Sequence, residues 1–218
     1  MRLFAFWRST IGKKIVMAVT GLIFVGFVIA HLSGNLLVFR GPDKINEYSE
    51  FLRSLGALLW VARGVLLVSV ILHATAAYQL AARARAARPI GYHEHEPQVS
   101  TFAARTIRWG GTLILLFVVL HLLHFTTGTL QPVPYQARDV YANVVGAFRI
   151  WWVSALYIVA MIALGLHLYH GTWSSLRTLG LVKMGADPLK HTVAAALALL
   201  VWLGFTLVPV GILLGIVR

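Results

Sequence analysis

The chain contains no cysteine. That excludes disulfides, thiolate-held iron–sulfur clusters and the thioether attachment of c-type haem, so any haem here is held non-covalently. Acid is scarce too: seven Asp and Glu stand against 19 Lys and Arg, a net charge of +12. Charged residues make up 12% of the chain, where a soluble domain carries about 25%. Whole stretches lack them altogether. No Asp, Glu, Lys or Arg occurs in residues 15–39, 64–82, 109–137, 150–176 or 191–217. Each run reaches the ~18–20 residues that a helix needs to cross the hydrocarbon core.

What remains is 59% hydrophobic. It predicts an all-α protein, a five-helix transmembrane bundle, with spans at about 14–38, 57–82, 106–128, 148–173 and 190–216. These form a single transmembrane domain over residues 1–218, and no stretch is left for a soluble one. The first span is too long for a signal-peptide core and follows Arg2, Arg8, Lys13 and Lys14, so it is expected to persist as a helix. With five spans, the N-terminus, second loop and fourth loop share one side. That side holds Arg2, Arg8, Lys13, Lys14, Arg83, Arg85, Arg88, Arg105, Arg108, Arg177, Lys183 and Lys190, 12 of the 19 basic residues. The positive-inside rule then predicts a cytoplasmic N-terminus and an external C-terminus. It also accounts for the positive charge without nucleic acid, which is not expected as a partner.

The connections carry turn and helix signals. Gly41–Pro42 opens the first loop, and Ile45, Tyr48, Phe51, Leu52 and Leu55 recur there at helical spacing, predicting a short interfacial helix. The second loop holds His93, Glu94, His95 and Glu96, read as solvated; the third holds Pro132 and Pro134. Pro209 is expected to kink the fifth span or mark its last turn. A weak repeat, FVIAHL at 27–32 and FVVLHL at 117–122, suggests a two-helix unit used twice.

Four histidines lie well inside the first four spans, one in each, away from the span ends: His31, His73, His121 and His167. An ionisable side chain in the bilayer is expensive and marks a functional site by default. The first and third spans run outward with His31 and His121 near their outer ends. The second and fourth run inward with His73 and His167 near their inner ends. At 1.5 Å rise per residue the two layers are expected roughly 10–20 Å apart. All seven acids (Asp43, Glu47, Glu50, Glu94, Glu96, Asp139, Asp187) lie outside the charge-free runs. A cation or proton transporter would place a carboxylate there. Paired imidazoles without carboxylate suit two bis-histidine b haems in a helix bundle. With both axial positions filled, such haems transfer electrons rather than activate oxygen. Gly34 beside His31, Ala74, Ala76 and Ala77 beside His73, and Gly165 and Gly171 beside His167 are expected to make room for the macrocycles.

Secondary candidates follow. His124 and His170 each lie three residues after a proposed ligand, on nearly the same helix face. They suit propionates or a quinone, or else simply a polar membrane edge. Arg105, Arg108 and Arg177 at the inner side and Arg63 and Arg149 at the outer are candidate propionate partners, with an interfacial role the plain alternative.

The stretch STIGKKIVMAVTGLIFVGFVIAHLSGNLLVF at 9–39 resembles the start of the five-helix, di-haem cytochrome b membrane-anchor subunit of bacterial succinate dehydrogenases and fumarate reductases. HLYHGTWSSLRTLGL at 167–181 is similar to that family's fourth-helix exit, and GPDKINEYSEFLRSLG at 41–56 to its first loop. The resemblance implies His31 with His121 as axial iron ligands of a distal haem b, and His73 with His167 of a proximal one. It implies a flavoprotein subunit and an iron–sulfur subunit on the cytoplasmic face of a bacterial inner membrane, and a tricarboxylic acid cycle role. It also implies a membrane quinone, often menaquinone, as substrate, and further association of complexes. An acid near the outer start of the second helix handles quinone in that family; Glu47 and Glu50 lie in that region. The dicarboxylate and flavin sites would belong to the partner subunits. The competing readings are a hydrogenase or formate dehydrogenase cytochrome b, a histidine-lined metal transporter and a cofactor-free structural anchor.

Overall fold

The computed structural model describes residues 2–87, 101–181 and 188–218. Arg88, His93, Glu94, His95, Glu96, Lys183 and Asp187 lie outside the described residues, as do the side chains of Arg2 and Lys190. The described residues form eight α-helices and no strand: α1 (Arg2–Arg8), α2 (Thr10–Asn35), α3 (Pro42–Ser54), α4 (Ala57–Ala86), α5 (Phe102–His121), α6 (Val140–Phe148), α7 (Trp151–Thr178) and α8 (Pro188–Leu213). Five are long and apolar enough to cross a membrane: α2, α4, α5, α7 and α8. The chain is a five-helix, multi-pass transmembrane bundle.

Local chemistry sets the helix ends. Ser9 caps α2 by accepting from the Gly12 amide at 2.8 Å, and Thr101 caps α5 by accepting from Ala104 at 3.2 Å. The expected interfacial helix is α3, opened by Pro42 after Gly41, whose φ of 94° needs glycine. Pro209 falls in the last turns of α8, not at a mid-span break. The helix α6 has no counterpart in the sequence reading, which left 129–147 as loop around its prolines. It depends on a partner: Asn46 of α3 accepts from the Val140 and Tyr141 amides at 2.9 and 3.2 Å and donates to Asp139 at 3.0 Å. Asp139 in turn caps Ala142 at 2.9 Å.

Packing is uneven. Along α7 and α8 small residues bring the backbones together: Ser154, Ala160, Ala194 and Ala198 are buried, and a Cβ on Gly165 would sit 3.3 Å from Trp202. The largest core lies at one end, where α3, α6 and the C-terminal Val217 close over Phe148, Tyr157 and Ile212. The helices α4 and α5 are held at the margin: α4 packs on α2 and α5 on α7, with no comparable packing between α4 and α5. Exposed Trp60, Trp151 and Trp152 collar the end near α3, and Trp109 the other, as expected of aromatics at a lipid–water boundary.

Candidate functional site: two histidine pairs across the bundle diagonals

Four helices ring a common axis in the order α4, α2, α7, α5. Their backbones pack along three sides of this ring, α4–α2, α2–α7 and α7–α5, and α4 meets α5 through the Tyr78–Thr112 hydrogen bond at 2.8 Å, which leaves α2 with α5 and α4 with α7 as diagonal partners. The histidines meet along these diagonals. His31 of α2 faces His121 of α5 with ring centroids 5.8 Å apart. His73 of α4 faces His167 of α7 at 6.2 Å. These are the pairs that alternating depth predicts, and no depth-mismatched pair comes into ring contact.

Two contacts measure the vertical spacing. Thr20 bonds His73 at 3.0 Å, so the inner pair sits at the level of Thr20 on α2. Eleven residues separate Thr20 from His31, which at the helical rise is about 16 Å. On α5, Gly111 lies beside His167, ten residues before His121, which gives about 15 Å. Two rulers on different helices agree, inside the range expected from sequence.

The inner pair has a defined hydrogen-bonding state on one side. The Thr20 hydroxyl donates to the Val16 carbonyl at 2.7 Å, so its oxygen accepts from His73 Nδ1–H. The Met17 carbonyl is a second acceptor beside the same ring. Both neighbours favour a proton on Nδ1 and leave the Nε2 lone pair free to ligate. His167 Nδ1 is buried with no partner. The outer pair lies in an aromatic cage. His31 stacks on Phe27 (5.4 Å, 9°) and contacts Phe205, while Phe117, Phe125 and Tyr157 surround His121 within 6.0 Å.

The residues present fit two tetrapyrroles. A metal–imidazole bond is about 2 Å and the ring centre lies roughly 1 Å further, so two imidazoles on one metal have centroids about 6 Å apart. Among the described residues no three His, Cys, Asp or Glu side chains cluster. A bare four-coordinate ion would therefore lack ligands, whereas a group bringing its own equatorial ligands needs only two. Glycines other than those expected face the imidazoles. A Cβ on Gly21 would lie 3.6 Å from His73, and one on Gly111 would lie 3.5 Å from His167. Gly34 instead admits Tyr48 of α3, which would be 2.5 Å from a Cβ there. Gly165 admits Trp202, and Gly171 has nothing within 4 Å. Sequence proximity misled here because the room must come from the helix opposite a ligand, not from the ligand's own turn.

No family model, curated protein or solved structure matches the chain.

The remaining candidates separate clearly. His124 is not a membrane-edge side chain: it is buried, and its Nδ1 lies 2.9 Å from the Tyr157 hydroxyl, itself 3.4 Å from His121 Nδ1. It stands in a π-helical turn over Leu122–Thr126. His170 has a buried, unpartnered Nδ1 and stands edge-on to Trp173. The candidate arginines are all exposed. Arg177 lies 4.9 Å over Trp173, and Arg63 4.9 Å over Trp60. Arg105, Arg108 and Arg149 form no ion pair among the described residues. Glu47 and Glu50 sit on the exposed face of α3, paired with Lys44 at 2.8 Å and Arg53 at 2.6 Å. The Glu47 carboxylate holds the Lys44 ammonium above the usual lysine range by hydrogen bond and charge. Arg53 also donates to the Ala137 carbonyl at 3.2 Å, tying α3 to the third loop.

Proposed function

We propose that this chain is the di-haem b membrane anchor of a succinate:quinone oxidoreductase, carrying electrons between an iron–sulfur subunit and membrane quinone. The observation that carries the reading is the pair of histidine diagonals, 5.8 and 6.2 Å between rings, at two membrane depths about 16 Å apart. Haem b, when bound, would supply reversible one-electron transfer.

The chain's own residues do the holding and tuning. His73 and His167 hold the inner position, and Thr20 fixes the tautomer of His73. His31 and His121 hold the outer position within the aromatic cage, which excludes water. The helices α4 and α5 pack mainly on α2 and α7 and meet each other through Tyr78 and Thr112 at 2.8 Å, so the ring is loosest between them. The basic excess at the end bearing α1 orients that end to the cytoplasm and offers it to the flavoprotein and iron–sulfur subunits. The membrane would be the bacterial cytoplasmic membrane, and the quinone menaquinone, handled at the outer end near α3.

Spectroscopy of the purified full-length protein tests the reading. The dithionite-reduced protein should show low-spin b bands with two haems per chain, and it should co-purify with a flavoprotein and an iron–sulfur protein. A colourless preparation refutes the haem assignment. A di-haem protein isolated with hydrogenase or formate dehydrogenase subunits refutes the succinate assignment alone.

A further inference from the structure

At the N-terminal end of the bundle, α1 turns at Ser9 and lies back against α2. The turn buries a lysine. Lys13 is 2% exposed, its ammonium donates to the Trp7 carbonyl, and it sits 4.8 Å over the Trp7 ring. No carboxylate pairs with it among the described residues. The carbonyl and the π face are its partners among the described residues, and neither supplies a counter-charge. Beside it opens a pocket of about 470 Å³ between α1, α2 and α4, lined by Phe4, Trp7, Arg8, Lys13, Gln79 and Arg83. Gln79 and Arg83 are one helical turn apart on α4 and present an amide and a guanidinium from the same face. Among the described residues the lining therefore holds three cations and no acid.

Depth and surroundings indicate the source of the anion. Lys13 and Arg83 stand just outside the charge-free runs 15–39 and 64–82, at headgroup level. Around the pocket, Phe4 is 67% and Ile11 71% exposed, so the cations are bordered by apolar surface rather than by polar loop. A helix with basic ends and exposed aromatics, lying where the first span begins, matches an interfacial element that covers lipid.

We propose that the pocket formed by Arg8, Lys13, Gln79 and Arg83 binds the phosphate of an anionic membrane phospholipid, whose acyl chains run down the groove between α2 and α4. The phosphodiester accepts from the two guanidiniums, the ammonium and the Gln79 amide. The bound lipid supplies a counter-charge to buried Lys13. It also joins α4 to α1 across the pocket. This inference stands apart from the haem reading.

Native mass spectrometry of the full-length protein, delipidated in mild detergent, tests it. The probes are dioleoyl phosphatidylglycerol, dioleoyl phosphatidylcholine and inorganic phosphate. One phosphatidylglycerol should be retained per chain in preference to phosphatidylcholine. Each exposed cation removed, by Arg8→Gln or Arg83→Gln, should weaken that binding about fivefold, and the double variant about 25-fold. Arg108→Gln, an exposed cation on α5 outside the pocket, should leave it unchanged. Lys13→Gln changes a buried residue and risks misfolding, so the arginine variants carry the test. Equal retention of the two lipids, or unchanged binding in the double variant, overturns the proposal. Displacement by inorganic phosphate assigns the site to a soluble ligand and overturns the lipid source. Loss of haem bands in Arg83→Gln with lipid retention intact assigns the pocket to tetrapyrrole carboxylates and likewise overturns it.

Discussion

Thr20→Val isolates one interaction at the inner pair. The change keeps the branched shape and removes the oxygen 3.0 Å from His73 Nδ1. That oxygen accepts because its own proton is committed to Val16 at 2.7 Å. A hydrogen bond donated by the distal ring nitrogen raises the basicity of the ligating one and so favours the oxidised metal. The Met17 carbonyl remains as a partial substitute, which places the loss at the low end of a net hydrogen bond, about 0.5–1 kcal/mol. At 59 mV per 1.4 kcal/mol for one electron, the inner haem should become easier to reduce by about 20–40 mV. The assay is a potentiometric titration of the reduced α band, with the inner haem identified as the one that His73→Ala removes. Thr20→Ser should restore the original midpoint, because it returns an oxygen at the same position. The reasoning fails if both midpoints stay within about 10 mV of wild type. It fails equally if the haem that moves is the outer one.

Four further outcomes follow from the same geometry. His31→Ala and His121→Ala should remove one haem and His73→Ala and His167→Ala the other, as read from the reduced spectra; loss of the same haem in His31 and His73 variants would contradict the diagonals. Gly111→Leu should displace the inner haem because its Cβ starts 3.5 Å from His167, whereas Gly26→Leu on α2, with nothing within 4 Å, should retain both. Asn46→Ala leaves the Val140 and Tyr141 amides and Asp139 without their shared partner; it should cost about 1–3 kcal/mol, seen as a lower melting temperature in detergent. The Lys44–Glu47 pair is raised in pKa on the lysine side, so it persists below the ordinary lysine range and is lost only as pH climbs through the raised value. Between pH 6 and 9 Lys44→Met should therefore leave the pH profile of the melting temperature unchanged, the pair being exposed and screened.

Much of this was legible because membrane sequences obey one-dimensional rules. Lipid cannot hydrate a backbone, so charge-free runs become helices, and a helix converts residue number into depth at a fixed rise. That is why His31 with His121 and His73 with His167 could be paired before any contact was known. The interfacial helix α3 was legible for the same reason, as an apolar periodicity bounded by Gly41–Pro42. Depth says nothing about azimuth, however. Gly34 and Gly165 lie on the ligands' own helices, yet they serve Tyr48 and Trp202. The glycines that face the imidazoles, Gly21 and Gly111, are on the opposing helices. Thr20 was invisible for the same reason, being 53 residues from the histidine it orients.

Two elements depended on tertiary structure more completely. The helix α6 is nine residues long and is capped by Asn46 across 94 residues of sequence; helices this short are marginal alone. His124 stands in the π-helical turn over Leu122–Thr126 and meets its partner Tyr157 from across 33 residues of sequence. The sequence by itself determined the apolar character of this protein, its five spans and the level of each histidine along its helix, because those follow from composition and helical rise. Only the tertiary structure decided which helices are diagonal, which glycines make room and which hydroxyl orients a ligand, because those are rotations about helix axes, fixed by packing and not by order along the chain.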